Sequence, residues 1–482
     1  MRYNEKINNK MLKIIEKIYK EQKMKKYDLQ FNDEIAQKII SDNELGRYNE
    51  VRKLLKIISL IEDNTVIAID GDWGSGKTFF LKEIEHIIKN KKTRNQFNIN
   101  RDISYNGNKE PFLNEQALDN SIILYYNAWE NDLYREPLES ILFTLLNSLK
   151  DNKDKIVTFK SFQKKLPKRI FEIFQGIGYN FVNQVNSSVE KATGINAKKV
   201  VKSTLDLMED INDLKAYEDL ASSIITTEEI REAINELVTE ILKNGTRIIF
   251  IIDELDRCRP DYAVDLIETI NHFYNNEKIT FLIGVNLKEF RNTLKSFYGN
   301  NFDGYKYLHK FFDVIINLKR LDTNHYATFA LQNCSGHNMM PIEERFNNTI
   351  PNSTNSTLLS ILELANNYNF SLRDINRCLL MYDLIKVNIE QILYNYQQDK
   401  KAQHAICNFI IPIMVISKVK NIDNVISFAE KKPNFNQICL TIDKEIIKKH
   451  EEKIGSSLDA IITKYYQNFC ENSTYQEIIN LI

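Results

Sequence analysis

The sequence predicts an α/β fold, a parallel sheet covered by helices on both faces, carrying a helical insertion and followed by an all-α region. Three observations carry that prediction. Four short, continuously apolar runs alternate with segments of helical period, the pattern of strands buried on both faces by crossover helices. The stretch from about 135 to 242 turns polar and helical. Beyond Leu318 strand signals mostly vanish and the remaining segments read as helix.

Taken in order, the first 26 residues carry nine basic and three acidic side chains around Leu12, Ile14, Ile15 and Ile18. They never form the continuous apolar core of a signal peptide. An amphipathic basic helix is expected within residues 1–40, either laying one stripe on the body or acting as a membrane-surface or partner helix. Val66-Ile-Ala-Ile69 is a buried strand that enters a glycine-rich turn, and Phe79, Phe80, Ile84, Ile87 and Ile88 then continue at helical spacing. A polar, Asn-rich stretch at about 93–120 reads as a surface loop leading to a second strand, Ser121-Ile-Ile-Leu-Tyr-Tyr126. Arg247-Ile-Ile-Phe-Ile-Ile252 and Thr280-Phe-Leu-Ile-Gly-Val285 are the third and fourth strands. Between them Ala263, Leu266, Ile267, Ile270 and Tyr274 share one face of a helix opened by Pro260. The expected organisation is a core over 41–320 and a helical domain over 321–482. No internal repeat is visible.

A chain of 482 residues with 43% hydrophobic and 27% charged side chains, 14 Gly and 8 Pro excludes collagen-like, low-complexity and wholly disordered classes. Lys+Arg 64 against Asp+Glu 65 leaves a net charge of −1, so any nucleic-acid or anionic-membrane contact needs a local patch. One basic cluster exists, Lys160, Lys164, Lys165, Lys168 and Arg169; no nucleic-acid-binding signature accompanies it, and a solvated helix face is the expected reading. The longest apolar run, Phe409–Ile416, is far short of the ~20 residues that span a bilayer. Six scattered cysteines point to a reducing, cytoplasmic setting rather than a disulfide framework.

Gly71-Asp72-Trp73-Gly74-Ser75-Gly76-Lys77-Thr78 fits G-x-x-x-x-G-K-[ST] between a predicted strand and a predicted helix, the context that motif requires. Its glycines let the backbone wrap a phosphate with N–H groups pointing inward, and the helix N-terminus adds a positive dipole end. Lys77 is expected to reach the β- and γ-phosphates of a nucleotide and the Thr78 hydroxyl to bind Mg²⁺. The metal needs a second, acidic site at the end of a buried strand, and Asp253 supplies it. Glu254 is the candidate that polarises the attacking water; Asp256 rivals Asp253 and Glu254 for either role, the alternative for Glu254 and Asp256 being a turn paired with Arg257 and Arg259. Asn286, at the end of the fourth strand, is either a γ-phosphate sensor or the cap of the next helix. The distance in sequence from Lys77 to Asp253 is several times the ~30 residues of one strand–helix–strand unit, so the two strands are not simple neighbours.

Two tempting signals are set aside. Asn90-Lys-Lys-Thr93 resembles a guanine-reading motif but follows the phosphate-loop helix directly, so ATP is the expected nucleotide. Cys334-Ser-Gly-His337 lacks a second pair of metal-ligand spacing and reads as surface loop.

The glycine loop with Trp73, Asn127-Ala-Trp129 after the second strand, Asp253-Glu-Leu-Asp256-Arg257-Cys258, the Gly46-Arg47 pair and Ser371-Leu-Arg373-Asp-Ile-Asn-Arg377 together resemble the KAP family of P-loop NTPases over roughly residues 40–385. The resemblance implies an additional-strand, AAA-like ATPase core, a helical lid, and hydrolysis used as a conformational switch, in a context of defence against phage and mobile elements. Arg373 and Arg377 resemble second-sensor arginines, with pairing to Asp374 the alternative. The resemblance also implies self-association, a neighbouring subunit's arginine completing the site, with Arg257, Arg259, Arg320 and Arg373 as candidate donors, and a protein partner. Trp73 and Trp129 are expected as core positions under the loop, with a partner surface as the alternative. Relatives commonly carry paired membrane spans in the insertion; here Ile170–Val182 is interrupted by Glu172, Gln175 and Asn180, so no such span is expected. Many relatives also have an acid where this chain has Asn286.

Overall fold

Each apolar run becomes a strand because its side chains are enclosed from both sides. β1 (Thr65–Asp70), β2 (Ser121–Asn127), β3 (Arg247–Asp253), β4 (Ile279–Val285) and β5 (Val314–Asn317) form one sheet in the order β2-β3-β4-β1-β5. All four pairings are parallel. Every residue of β3 and β4 is buried, as the unbroken apolar runs require. The computed structural model describes residues 29, 31–99, 113–132, 137–141, 144–145, 227–242, 247–272, 278–334 and 354–420. They fall into two units, one taking in 48–73 and 77–319 and the other the residues up to 47, 74–76 and those from 320 onward.

In the first unit β4 lies between β1 and β3, so the strand that leads to Lys77 and the strand that ends at Asp253 are separated by an additional strand. On one face Val66, Ala68, Leu124, Phe250, Ile252, Phe281 and Ile283 pack with Ile234 and Val238 of helix Thr227–Leu242 and with Leu266 and Ile270 of helix Pro260–His272. On the other, helix Lys77–Lys89 crosses β2, β3 and β4 and buries Phe80, Leu81, Ile84, Ile87 and Ile88. The expected doubly covered parallel sheet is present. β5 is an element the sequence reading missed: it is four residues long, sits at the sheet edge, and is only half-buried, so its apolar signal is weak.

The loop expected at about 93–120 needs correction. Lys91–Ile99 and Glu115–Asp119 are helices. Asn90 opens the first by accepting the Thr93 N–H at 3.1 Å. Arg94 then turns inward, 1% exposed, donating to Ile88 O at 2.7 Å and pairing with Asp119. A buried guanidinium with a carboxylate and a carbonyl to satisfy it orders a segment that apolar periodicity does not mark. Of the insertion, residues 137–141 and 144–145 and helix Thr227–Leu242 are described, and all are helical. Residues 1–26, the basic cluster at 160–169, the stretch at 170–182, Tyr274 and Ser335–His337 lie outside the described residues.

The described elements of the second unit are helices: Asp33–Asp42, Thr323–Cys334, Thr354–Asn367, Leu372–Asn395, Lys400–Ala405 and Ile411–Lys420, the last two joined by a π-turn over Ile406–Ile410. The wide turn has an identifiable cause. Pro412 offers no N–H and its ring crowds the carbonyl four residues back, while the Ile411 N–H donates to Ile406 O, five residues back. Residues Phe409–Ile411 and Ile413–Ile416 are buried in this unit's core. Among the described residues no helix is long and apolar enough to cross a membrane.

Candidate functional site

Ligand sites of parallel α/β sheets lie at the C-terminal ends of the strands, and three such ends matter here. β1 ends at Asp70 and passes into the glycine loop. β2 ends at Asn127, which the register pairs with Asp253 at the end of β3.

Lys77 opens the helix after the loop and is buried, its Nζ donating to Gly71 O at 2.5 Å and Asp72 O at 3.3 Å. Burial lowers its pKa below the usual lysine value, against the opposing pull of Asp256, Asp253 and Asp70. Thr78 follows in the first helical turn, half-buried. Asp253 is 1% exposed; its Oδ2 accepts the Tyr125 hydroxyl at 2.8 Å and its Oδ1 the Glu254 N–H at 2.9 Å. Burial, and then the Asp253 charge, push the Tyr125 hydroxyl far above the ordinary tyrosine value, so it stays a donor. Gly284 of β4 is what leaves the carboxylate its room. A Cβ there would lie 2.9 Å from Asp253 Oδ1 and 2.6 Å from Leu81 Cδ1.

Glu254 adopts φ 61°, ψ 27°, a left-handed conformation that costs a non-glycine residue about 1 kcal/mol. Its carboxylate meets the Arg257 guanidinium at 2.7 Å and a side-chain hydrogen bond from Asn127. Burial raises its pKa above the usual glutamate value, and Arg257 offsets only part of that rise. Asp256 is 8% exposed and accepts the Trp73 indole N–H at 2.5 Å. Trp73 and Trp129 are not the core positions expected: they are 50% and 53% exposed. The reason lies in their partners. Trp73 is tied by its N–H to the Asp256 turn, and Trp129 lies under the Arg257 guanidinium, 5.8 Å from its ring centre.

Asn286 is buried and caps helix Leu287–Tyr298, accepting the Glu289 N–H at 3.2 Å. Asp70 accepts the Leu287 N–H at 2.9 Å, so two strand ends hold that helix start. The structure therefore brings Lys77, Asp253, Asp256, Trp73 and Glu254 together. Sequence reasoning missed Tyr125 and Gly284. Alternation along β2 places Tyr125 on the same side as Asn127, and a glycine inside an otherwise unbroken apolar strand marks a close approach.

In the second unit the loop tip Gly74–Gly76 has two left-handed glycines, at φ 74° and φ 87°. Helix Leu372–Asn395 starts with a reciprocal cap: Ser371 Oγ and N–H donate to Asp374 Oδ2 at 2.8 and 3.1 Å, and Asp374 N–H donates to Ser371 Oγ at 3.2 Å. Arg373 is exposed, and Arg377 pairs with Asp374 at 3.5 Å. Arg320 donates to Asn369 Oδ1 at 2.7 Å and to Phe370 O.

A model of the KAP family P-loop domain matches residues 47–386, most of the chain. The chain belongs to the KAP family. An uncharacterized protein of Methanocaldococcus jannaschii is 26% identical over 174 residues, covering 32% of this chain and 84% of that protein. Membership in a P-loop NTPase family carries nucleotide binding as its shared chemistry. In this KAP domain each charged group of the first unit's site already has an internal partner: loop carbonyls for Lys77, Trp73 for Asp256, Arg257 for Glu254.

Proposed function

We propose that the chain binds ATP with Mg²⁺ at Gly71–Thr78 and hydrolyses it, the cycle serving as a conformational switch; a role for that switch in defence rests on family context. The observation that supports this most is the burial of Lys77 in the field of Asp253, which ends β3, and of Asp256 in the turn after it, β3 being separated from β1 by β4. The residues suit the metal. Thr78 and Asp253 offer hard oxygens of the kind Mg²⁺ takes, and they are too few for a protein-only cage, which fits an ion that arrives with phosphates and keeps waters. Bound there, Mg²⁺ supplies charge neutralisation across the phosphate oxygens. The chain's own groups do the rest. Lys77 exchanges its loop carbonyls for phosphate oxygens, Tyr125 and the Glu254 N–H hold Asp253 in one orientation, and Glu254 orients the attacking water and accepts its proton. A raised Glu254 pKa makes that carboxylate a stronger base once ionised.

Turnover by the purified chain, alone and with DNA, RNA or cell extract, tests the proposal. Lys77→Ala is expected to abolish nucleotide binding or turnover in a folded protein; wild-type affinity and rate in that variant would sink the site. Glu254→Gln is expected to retain nucleotide while turnover falls roughly 10²-fold, the scale of a positioned acid–base group. If Asp256→Asn stops turnover and Glu254→Gln does not, the water-activating role passes to Asp256. A second reading, a nucleotide-bound scaffold with negligible hydrolysis, is favoured by one observation: Arg257 already occupies the Glu254 carboxylate. Under it Glu254→Gln changes nothing.

A further inference from the structure

Within the second unit, three consecutive carbonyls of the loop tip each accept a donor from elsewhere in that unit. Arg47 Nη2 donates to Ser75 O at 2.6 Å and Nη1 to Gly76 O at 3.3 Å, and the Leu372 N–H donates to Gly74 O at 3.0 Å. In a trans peptide the C=O and the following N–H point in opposite directions. Holding those carbonyls on Arg47 and Leu372 therefore sends the N–H groups of Ser75, Gly76 and Lys77 away from these donors, free to face an anion. The left-handed Gly74 and Gly76 permit that alternation of peptide planes.

Arg47 is suited to this task in a way a surface arginine is not. It is 3% exposed, immediately follows the left-handed Gly46, and its planar fork spans two successive carbonyls. The fit is close: a Cβ on Gly76 would lie 3.3 Å from Arg47 Nη1 and 3.2 Å from Leu372 Cδ1, and one on Gly74 would lie 2.9 Å from Ser371 Cβ. A full positive charge behind the carbonyls also lowers the cost of bringing phosphate charge to the loop.

We propose that Arg47 is a positioning residue for nucleotide binding, bracing the Ser75 and Gly76 carbonyls so that the loop's N–H groups are set for a phosphate. The proposal rests on the reading that this loop binds nucleotide. Its test is calorimetric titration of the full chain with Mg²⁺ and ATPγS, beside steady-state turnover of ATP, for wild type, Arg47→Met and Arg47→Lys. Met removes the donors and the charge at similar length, and is expected to weaken ATPγS binding about tenfold or more, the loss typical of charged hydrogen bonds. KM is expected to rise by a similar factor while kcat stays within about threefold. Lys keeps the charge but not the fork, and is expected to fall between the two. A merely structural arginine would behave otherwise: a smaller folded fraction lowers kcat per mole of chain and leaves KM where it was, and that result overturns the proposal. So does ATPγS affinity equal to wild type in either variant. If Arg47→Met does not fold by circular dichroism, Arg47→Lys decides alone. Absence of binding to the wild-type chain would overturn the nucleotide reading itself, which separates the two failures.

Discussion

Asp253 shows how far one carboxylate depends on neighbours that carry no charge. It is buried, and its two oxygens are held by a hydroxyl from β2 and by the backbone of the next residue, while β4 makes room by having no side chain at Gly284. Gly284→Ala would place a methyl group inside contact distance of both Asp253 Oδ1 and the buried Leu81. Overpacking of this kind costs about 1–3 kcal/mol. The expected outcome is a lower midpoint in urea denaturation together with weaker Mg²⁺-dependent nucleotide binding, because the carboxylate must turn away. A variant unchanged in both would show that the strand relaxes around the methyl and that Gly284 does not set the acid's position. Tyr125 acts from the other side of the same group. Burial keeps its hydroxyl protonated at all working pH values, so it donates to Asp253 whatever the state of the rest of the site.

At the scale of elements, helix Leu372–Asn395 begins with a cap that the sequence spells as Ser-x-x-Asp, with both halves of the reciprocal bond made. Ser371→Ala removes the hydroxyl that accepts the Asp374 N–H, and caps of this type contribute about 0.5–2 kcal/mol. Ser371→Thr is expected to retain most of that stability and Ser371→Ala to lose it, measured by denaturant titration of the full chain; equal midpoints for the two variants would remove the cap from the helix's energetics. The contrast with other elements explains what was legible in the sequence. The first four strands were readable because each is an unbroken apolar run, and β3 and β4 are buried throughout. The loop was readable because its glycines and Lys77 are fixed by spacing. β5 escaped because an edge strand of four residues, three half-buried and Asn317 exposed, has little apolar signal to give. Helix Lys91–Ile99 escaped because the pair that anchors it, Arg94 and Asp119, is polar, and only tertiary folding brings it together. The exposure of Trp73 and Trp129 followed from single hydrogen-bond and cation–π partners, which residue type alone does not announce.

For the whole molecule the question is whether one chain makes a complete ATPase. Of the arginines able to stabilise charge on a transferring phosphoryl group, Arg257 is committed to Glu254, Arg259 to Asp132 at 2.8 Å, and Arg320 to Asn369 and Phe370. Each would have to leave an internal partner to serve its own site. The exposed Arg373 of a second copy avoids that loss, and arginines supplied in trans contribute ~10³ to 10⁵ in rate. A net charge of −1 sets little long-range repulsion against association of identical chains. The expected behaviour is therefore a slow enzyme when dilute, with specific activity rising as protein concentration rises and with ATP promoting self-association. Turnover and light-scattering mass, followed over one concentration series with and without nucleotide, decide the matter. Specific activity that stays constant in a species that remains monomeric with ATP would reject the trans arginine.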